Sequence, residues 1–380
     1  MRAWIVSVPS PRKRGVSRLP GGSGQASGPL GVAATLTLIV HKNYDNNGIE
    51  QVASGSPGGS CRHVEDQGSS PDTTATRLCI TFAAQSFDRR QHDRGRRNRD
   101  VVMRQGIAGK VAFITGVARG QGRAHAARLA AEGADIIGID ICANIDSVAY
   151  PMASPADLEE TARIVRGHGR QMVATIADVR DRKALEAAVA EGVAELGRLD
   201  FVIANAGICA IYGDSGNTHA AWQDSLDVML TGALNTIEAA YLTMRDQGDG
   251  GSITIVSSMA AFKPMMWEES THSLGMLGYS AAKAAHINLA RNYASMLAPH
   301  RIRVNSVHPT GVDTEMTNNE FSRARWELAG QEGGRALTNA IPVTMIQPDN
   351  VADLILWLCS DESKFVTGNP ILVDAGTNLR

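Results

Sequence analysis

The amino-acid sequence predicts an α/β fold built on a doubly wound, mostly parallel sheet of seven strands. Three observations favour this fold: apolar runs alternate with helical stretches from residue 110 onward, a glycine-rich turn follows the first run, and polar residues recur where the runs end. Strands joined by helical crossovers produce this alternation. The expected strands are 110–115, 135–140, 171–177, 199–205, 251–257, 301–307 and 370–374.

The first apolar run, Lys110 to Thr115, ends in a turn that carries Gly116, Gly120 and Gly122. Glycines let the backbone approach a pyrophosphate closely, and the helix that follows offers unpaired N–H groups and the positive end of its dipole. The order of strand, glycine turn and helix therefore predicts a dinucleotide site. A glycine turn taken alone can also serve only to pack a helix on a strand.

The second run ends at Asp140, 24 residues after Gly116. A carboxylate at this position accepts hydrogen bonds from the hydroxyls of an adenosine ribose. It also repels a 2′-phosphate, by about 4 kcal/mol for two charges about 4 Å apart at an effective dielectric constant of about 20. Arg119 favours the opposite preference, since a guanidinium can pair with that phosphate. The arginine can swing to solvent whereas the carboxylate at the strand end cannot, so we expect the carboxylate to decide the preference and NAD to be favoured over NADP.

Two later segments carry residues suited to proton transfer. Ser258 follows the fifth predicted strand, and Tyr279 opens a long helical stretch with Lys283 four residues further on. Tyrosine and lysine at this spacing share a helix face. A phenol with a pKa near 10 is a poor base, and lowering that pKa by about three units takes about 4 kcal/mol. A neighbouring ammonium and an oxidised nicotinamide can supply it, so we interpret the pair as catalytic and not as an ordinary surface pair.

Together these motifs resemble the short-chain dehydrogenase/reductase family, from about Met103 to the end of the chain. A Ser258-to-Tyr279 spacing of 21 residues and an extra segment from Ser147 to Asp157 make the chain similar to the actinobacterial subgroup described as mycofactocin-coupled, which includes carveol dehydrogenases. The further matching segments are Asp178, Asn205-Ala206-Gly207, Asn305-Ser306-Val307-His308-Pro309, Val366-Thr367-Gly368 and Val373-Asp374-Ala375-Gly376.

The resemblance implies a Rossmann fold and a role for each matching residue. Tyr279 would be the acid/base, Ser258 would hydrogen-bond the reacting oxygen, and Lys283 would hold the nicotinamide ribose and lower the tyrosine pKa. Asp178 would contact adenine, and Asn205 would support the central strand beside the cofactor. The other cofactor-binding residues that it implies are Gly116, Arg119, Gly120, Gln121, Gly122, Asp140, Val179, Ala206, Gly207, Pro309, Gly311 and Val312. It implies no metal ion.

One position departs from the family pattern. The chain reads Met229-Leu230-Thr231-Gly232 where the family usually has Asn-Leu-Thr-Gly. The asparagine would anchor a proton-relay water, whereas a thioether accepts hydrogen bonds only weakly. Either other groups rebuild the relay or turnover is impaired, and a methionine that merely fills helix core is compatible with both.

Residues 1–102 differ in composition from the rest of the chain. They carry 14 Lys and Arg against 8 Asp and Glu, a net charge of +6, whereas the whole chain carries −2. They show no sustained period and end in an arginine-rich run from Arg89 to Arg99, so we expect a disordered Gly- and Ser-rich extension. An apolar patch at 31–40 is too short to span a bilayer. The alternatives are a signal or transit peptide, or a natural start at or near Met103.

Residues 103–380 are expected to form a single NAD-binding domain with enough apolar content for a large core. The stretch from 310 to 340 is expected to be a mobile helical lid over the substrate, with Met316, Phe321, Trp326 and Leu328 as its apolar residues. The five cysteines have no paired spacing, so neither a zinc site nor a disulfide framework is predicted. A reducing cytoplasm fits them best, and an inert buried thiol is the favoured interpretation of Cys209.

We therefore expect a cytoplasmic NAD-dependent oxidoreductase that interconverts a hydrophobic secondary alcohol and its ketone. The resemblance also implies a homotetramer or homodimer packed through the long helices around residues 226–244 and 279–296. No nucleic-acid or membrane partner is expected. The alternatives are a 3-oxoacyl or steroid reductase, and a low-turnover NAD-binding regulatory protein.

Overall fold

A computed structural model describes residues 105–266, 269–324 and 338–379 of the 380-residue chain. The expected disordered extension at residues 1–102 lies outside the described residues. So do Trp326 and Leu328 of the expected lid. Within the described part, no helix is long and apolar enough to cross a membrane, and no three His, Cys, Asp or Glu side chains are grouped as a metal site.

The described residues form a seven-stranded sheet in which every pair of neighbours is parallel, in the order β3-β2-β1-β4-β5-β6-β7. The direction of winding reverses between β1 and β4, where sheets of this type bind ligands. The predicted fold class is confirmed. The strands are β1 Val111–Thr115, β2 Asp135–Asp140, β3 Met172–Ile176, β4 Phe201–Ala204, β5 Gly251–Val256, β6 Ile302–Pro309 and β7 Pro370–Val373.

Helices connect successive strands and cover both faces of the sheet. Polar residues before several of them accept hydrogen bonds from the first backbone N–H groups and so define where the helices begin. These N-caps are Ser154, Asp181, Thr218 and Ser273. The helices are α1 Gly120–Ala131, α2 Pro155–Gly167, α3 Arg182–Leu196, α4 His219–Ser225, α5 Gly232–Gln247, α6 Leu274–Leu297 and α7 Pro348–Cys359, with a π-helical segment Leu226–Thr231 between α4 and α5.

The start of α6 differs from the expectation that Tyr279 opens it. The helix begins at Leu274, because the Ser273 hydroxyl caps it by accepting a hydrogen bond from Met276 N at 3.2 Å. Tyr279 therefore lies inside the helix, in its second turn. The spacing between Tyr279 and Lys283 still places both side chains on one face.

Alternate residues of the strands pack into two separate apolar layers. In β1, Val111 and Phe113 belong to the layer under α3, α5 and α6, whereas Ala112 and Ile114 belong to the layer under α1 and α7. A parallel sheet covered on both faces accounts for strands that read as continuous apolar runs. Because the strands are parallel, all their carboxyl ends lie at one edge, and the residues that follow them are brought together there.

Candidate functional site

The glycine turn brings the start of α1 against the end of β1. Gly116 and Gly120 have φ angles of +66° and +53°, in the left-handed region that favours glycine. At Gly122 a Cβ atom would lie 2.0 Å from the Gly116 carbonyl oxygen, a distance that no side chain tolerates. The turn is closed tightly, and the first N–H groups of α1 have no partners inside the helix, as an anion site requires.

Asn205, the residue after β4, supports this turn from the neighbouring strand. Its side-chain nitrogen donates to the carbonyl oxygens of Thr115 and Gly116 at 3.0 and 3.1 Å. The Thr115 hydroxyl in turn accepts from the backbone N–H groups of Asn205 and Ala206, each at 3.1 Å. These bonds join the ends of β1 and β4 where the winding of the sheet reverses.

Asp140 ends β2 as a buried carboxylate beside the glycine turn. Its Oδ2 atom accepts from Ala118 N and its Oδ1 atom from Cys142 N, each at 3.1 Å. Two backbone donors therefore hold the carboxylate in place. Each oxygen keeps a further lone pair that can accept from a ligand hydroxyl.

Arg119 has a hydrogen-bond partner within the protein. Its Nη2 atom donates to the Pro151 carbonyl oxygen at 2.8 Å. Pro151 belongs to the extra segment 147–157, which folds back over the glycine turn. Ser147 fastens the start of that segment, since its hydroxyl donates to Asp224 Oδ2 at 2.7 Å.

Asp178 follows β3 and already has an internal partner. Its carboxylate accepts from Arg180 Nε at 2.8 Å and from Arg180 Nη2 at 2.7 Å, and Arg180 also reaches Asp224 at 3.3 Å. The hydrogen bond with Asp178 raises the pKa of Arg180 above its ordinary value. Arg180 thus orients the Asp178 carboxylate, which is expected to contact adenine. The remaining lone pairs of that carboxylate are available to accept hydrogen bonds from a ligand.

These groups line one cleft at the carboxyl edge of the sheet, with about 870 Å³ of space between protein atoms, part of it open to solvent. The predicted cofactor residues that line it are Gly116, Arg119, Gly120, Gln121, Gly122, Asp140, Asp178, Val179, Asn205, Ala206 and Gly207. The predicted residues that do not line it are Ser258, Tyr279, Lys283, Pro309, Gly311 and Val312.

Other residues of the cleft were not predicted from the sequence. They are Ile141, Ile145, Tyr150, Met152, Ala153, Ala177, Ile208, Val228, Thr314, Glu315 and Met316. Ile141 and Ala177 directly follow strands, so the strand-end pattern could have identified them. Met316 was expected only as a lid residue. Nothing in the sequence placed Tyr150 there, because its position depends on how the extra segment folds back.

Tyr150 anchors a buried wall behind the cleft. Its hydroxyl accepts from Cys209 N at 3.0 Å, and its ring stands edge-on to that of Tyr212 with centroids 6.2 Å apart. The Tyr212 hydroxyl donates to the Met316 carbonyl oxygen at 3.2 Å. Burial raises the pKa of both tyrosines well above the ordinary value. Both hydroxyls are therefore neutral, and both are used inside the protein.

The predicted catalytic side chains meet at the end of β5. Lys283 Nζ is buried, donates to the Val256 carbonyl oxygen at 2.9 Å and lies 5.7 Å from the centroid of the Tyr279 ring. The Ser258 hydroxyl oxygen accepts from Ala260 N at 3.2 Å, which fixes the side chain and leaves its proton free to donate. Gly207 links this group to the cleft, since a Cβ atom there would stand 3.7 Å from Lys283 Nζ.

Burial dominates the protonation of these groups. The surrounding protein raises the pKa of Tyr279 above its ordinary value, and contact with the Ser258 hydroxyl lowers it in part. Burial lowers the pKa of Lys283 to about 8. The phenol is thus protonated at neutral pH, and turning it into a base requires further positive charge beside it.

His308 holds the serine backbone from β6. Its Nδ1 atom lies 3.0 Å from the Ser258 carbonyl oxygen, and its Nε2 atom lies 2.8 Å from the Ser306 hydroxyl. Because a carbonyl only accepts, Nδ1 carries the proton and Nε2 accepts from the hydroxyl. Burial lowers the pKa of His308 to about 4, which keeps this tautomer neutral. The Phe262 ring packs edge-on against it at 4.8 Å.

Met229 lies in the π-helical segment and is fully buried. Its carbonyl oxygen lies 3.0 Å from His286 Nε2 on α6. Short π-helical segments inside α-helices occur frequently at functional sites. The Met229 side chain therefore belongs to the core, and the backbone carbonyl of Met229 is the group that contacts a polar partner, His286.

Comparison with known proteins places this geometry in a family. Residues 116–378 match the family described as Enoyl-(Acyl carrier protein) reductase. An oxidoreductase of Mycobacterium tuberculosis is 48% identical over 271 residues, covering 71% of this chain and 96% of that protein. The (−)-trans-carveol dehydrogenase of Rhodococcus erythropolis is 40% identical over 290 residues, covering 72% of this chain and 99% of that protein.

A solved structure has the same fold. The short-chain dehydrogenase from Mycobacterium paratuberculosis bound to NAD superposes with a TM-score of 0.67 and 42% sequence identity. The match covers 72% of this chain and 100% of that one.

Proposed function

The chain belongs to the short-chain dehydrogenase/reductase family, and we propose that it is an NAD-dependent oxidoreductase that interconverts a hydrophobic secondary alcohol and its ketone. One observation carries this proposal: a serine hydroxyl, a tyrosine and a buried lysine meet beside a cleft that a glycine turn and a carboxylate line. The proposed catalytic residues are Ser258, Tyr279 and Lys283.

The cleft fits a dinucleotide. Its glycine turn admits no Cβ at Gly122, so the backbone stands close enough to receive a pyrophosphate at the start of α1. Asp140 is held by two backbone donors and keeps lone pairs for the adenosine ribose. Arg119, the residue that would favour a 2′-phosphate, donates from Nη2 to the Pro151 carbonyl oxygen, and the fixed carboxylate of Asp140 supports NAD over NADP.

In alcohol oxidation, the bound cofactor supplies a hydride acceptor and a positive charge. Tyr279 removes the hydroxyl proton of the substrate, and the Ser258 hydroxyl donates to the reacting oxygen and orients it. Lys283 holds the nicotinamide ribose and stabilises the phenolate. The positive charges of lysine and cofactor together offset the burial that raises the pKa of Tyr279.

Apolar residues of the cleft support the proposed substrate class. Ile145, Tyr150, Met152, Ile208 and Met316 contribute apolar surface, and the Tyr150 hydroxyl is already bound inside the protein. A pocket of this kind selects a hydrophobic ligand with one polar group. A cyclic or terpenoid secondary alcohol fits, and the relative named for (−)-trans-carveol supports this class.

Single-turnover reduction of bound nicotinamide tests this function, because it does not require the cofactor to exchange. The panel contains (−)-trans-carveol, a simple cyclic secondary alcohol, a 3-hydroxyacyl thioester and a hydroxysteroid, with wild type and Ser258→Ala compared on each. We expect fastest reduction with the cyclic hydrophobic alcohols and little with Ser258→Ala. Preference for the thioester or the steroid would favour the 3-oxoacyl or steroid reductase alternative. Tight NAD binding without reduction by any alcohol would favour a regulatory protein.

We also propose a homodimer or homotetramer in the cytoplasm, packed through α5 and α6. These helices expose apolar side chains, among them Leu242 at 40% and Met296 at 50%. Leu242→Glu combined with Met296→Glu should lower the mass measured by light scattering. Ile176→Glu, which changes an exposed residue on β3, is the matched control. An unchanged mass in the double variant would exclude this interface.

A further inference from the structure

His286 is a buried polar side chain to which the proposed reaction assigns no role. It lies on α6 three residues after Lys283 and is 2% exposed. Its Nε2 atom lies 3.0 Å from the Met229 carbonyl oxygen. A carbonyl oxygen only accepts, so Nε2 carries the proton and Nδ1 is a bare acceptor. Nδ1 is buried and has no hydrogen-bond partner among the described residues.

Lys283 has a complementary surplus of donors. An ammonium carries three N–H groups, and in the part of the chain that the structure describes Lys283 Nζ donates to the Val256 carbonyl oxygen. The surroundings of Gly207 indicate which side chains lie near Lys283 Nζ. Lys283 Nζ and Met229 Cγ each lie 3.7 Å from the point that a Cβ atom on Gly207 would occupy. The Met229 side chain and the buried ammonium thus approach the same point beside Gly207, and a thioether offers an ammonium almost no acceptor.

The unpartnered Nδ1 atom of His286 and the ammonium of Lys283 belong to neighbouring side chains on α6. Residues three apart on a helix share a face. Burial, together with the smaller effect of the positive charge of Lys283, lowers the pKa of His286 to about 3. His308 on β6 is the other titratable group that acts on His286, and Cys209 is the one that acts on Lys283. The imidazole is thus neutral across the working pH range, and Nδ1 remains an acceptor throughout.

We propose that His286 is a positioning residue for Lys283, its Nδ1 atom accepting a hydrogen bond from a water molecule to which the lysine ammonium donates. This arrangement would hold the ammonium beside Tyr279, where it could also donate to the ribose of a bound nicotinamide. It rests on the proposed function, because it gives Lys283 the task stated there. The family pattern expects an asparagine side chain at position 229 to hold a water molecule, and here His286 on α6 would hold it instead. The Nε2 atom of the same imidazole binds the Met229 carbonyl oxygen and so connects α6 to the π-helical segment.

A purely structural role for His286 would use a different atom. If the imidazole served only to satisfy the Met229 carbonyl oxygen, then Nε2 alone would matter and Nδ1 could be removed without effect. The two nitrogens can be tested separately because amide side chains reproduce them one at a time. Asn places its polar atoms near the position of Nδ1, and Gln places its amide nitrogen near the position of Nε2.

The experiment measures the pKa of Tyr279 in the NAD-bound full chain by the ultraviolet absorption of its phenolate. The Tyr279→Phe version of each protein is subtracted so that the other tyrosines cancel. The variants are His286→Asn, His286→Gln and His286→Leu, and thermal unfolding of each one reports folding separately.

We expect His286→Gln and His286→Leu to raise the pKa of Tyr279 by about one pH unit, because a misplaced ammonium stabilises the phenolate less. His286→Asn should stay close to wild type. In the Lys283→Met background, all three substitutions should leave the pKa of Tyr279 unchanged, since the group that His286 positions is gone. This readout needs no alcohol, so it stands whether or not the substrate class is correct.

Three outcomes would overturn the proposal. The first is a His286→Gln protein that matches wild type while His286→Asn matches His286→Leu, because the Met229 carbonyl would then be the whole purpose of the ring. The second is an unchanged pKa of Tyr279 in all three variants. The third is an equal shift with and without Lys283. Loss of folding in His286→Leu alone leaves the contrast between Asn and Gln to decide.

Discussion

The dinucleotide end and the catalytic end of the site are built in different ways. At the ends of β1, β2 and β4, the polar side chains Thr115, Asp140 and Asn205 are paired with backbone groups of neighbouring turns. Between the π-helical segment and α6, Lys283 and His286 are buried, and among the described residues the His286 Nδ1 acceptor has no hydrogen-bond partner. Backbone hydrogen bonds hold the dinucleotide end in place, whereas the catalytic end depends on contacts between side chains from separate helices.

This difference explains which region tolerates departures from a pattern. A turn closed by backbone hydrogen bonds requires particular residues at particular spacings. A site formed by side chains across two helices can exchange one supporting group for another, and the role proposed for His286 beside Met229 would be an example. We expect substitutions in the first region to weaken cofactor binding and those in the second to change proton transfer.

The largest expected effect separates chemistry from binding. Tyr279→Phe should lower turnover by about 10³-fold, since general acid–base groups contribute about 10² to 10⁴. The Kd for NAD should stay within a few-fold, because the ring still packs in α6. Steady-state kinetics and calorimetric titration measure the two quantities. The control is Tyr241→Phe, on the neighbouring helix α5. Loss of NAD binding with turnover retained would contradict the assigned role and the division between the regions.

The second effect falls on the dinucleotide end. Gly122→Ala should weaken NAD binding by at least about 100-fold, because the new Cβ atom would stand 2.0 Å from the Gly116 carbonyl oxygen and the turn would have to open. The matched control is Gly167→Ala at the end of α2, where a Cβ atom meets nothing within 4 Å. Near-normal affinity in Gly122→Ala would show that the turn is less rigid than its geometry implies.

Acid should destabilise the protein through its buried histidines. Burial lowers the folded-state pKa of His125 to about 3 from 6.5, so between these values the unfolded chain binds a proton that the folded chain does not. The free energy of unfolding therefore falls as the pH drops below about 6.5, by up to a few kcal/mol for this residue. His125→Leu should flatten the decline in melting temperature between pH 7 and pH 4. An identical decline in both proteins would show that His125 is not responsible.

The smallest expected effect concerns cofactor choice. Asp140→Asn should reduce the preference for NAD over NADP by about tenfold, because the repulsion of a 2′-phosphate disappears while acceptors for the two backbone N–H groups are partly retained. The ratio of kcat/KM with the two cofactors measures it. Arg119→Gln is the comparison, and it should change the ratio little because Arg119 is bound to Pro151. A wild type that already prefers NADP would refute the cofactor assignment.

Much of the fold could be predicted because parallel strands buried on both faces must be apolar along their length. All seven predicted strands are present, and Ser258 follows β5 as the strand pattern predicted, with Tyr279 and Lys283 on α6. The start of α6 could not be predicted, because a helix that begins after a Ser273 cap and a helix that begins at Tyr279 both place Tyr279 and Lys283 on one face. The contact between Arg119 and Pro151 was missed because it depends on a loop that folds back over the turn.

The sequence by itself determined the order of strands and helices, the glycine turn and the residues available at the strand ends, because these depend on spacing along the chain and on local backbone geometry. Only the tertiary structure decided that Tyr150 stands behind the cleft, that Met229 is core and that His286 meets its carbonyl oxygen. Those contacts join residues 57 to 59 positions apart. No local pattern encodes such pairs, because their distance is set by how helices and loops pack against a common sheet.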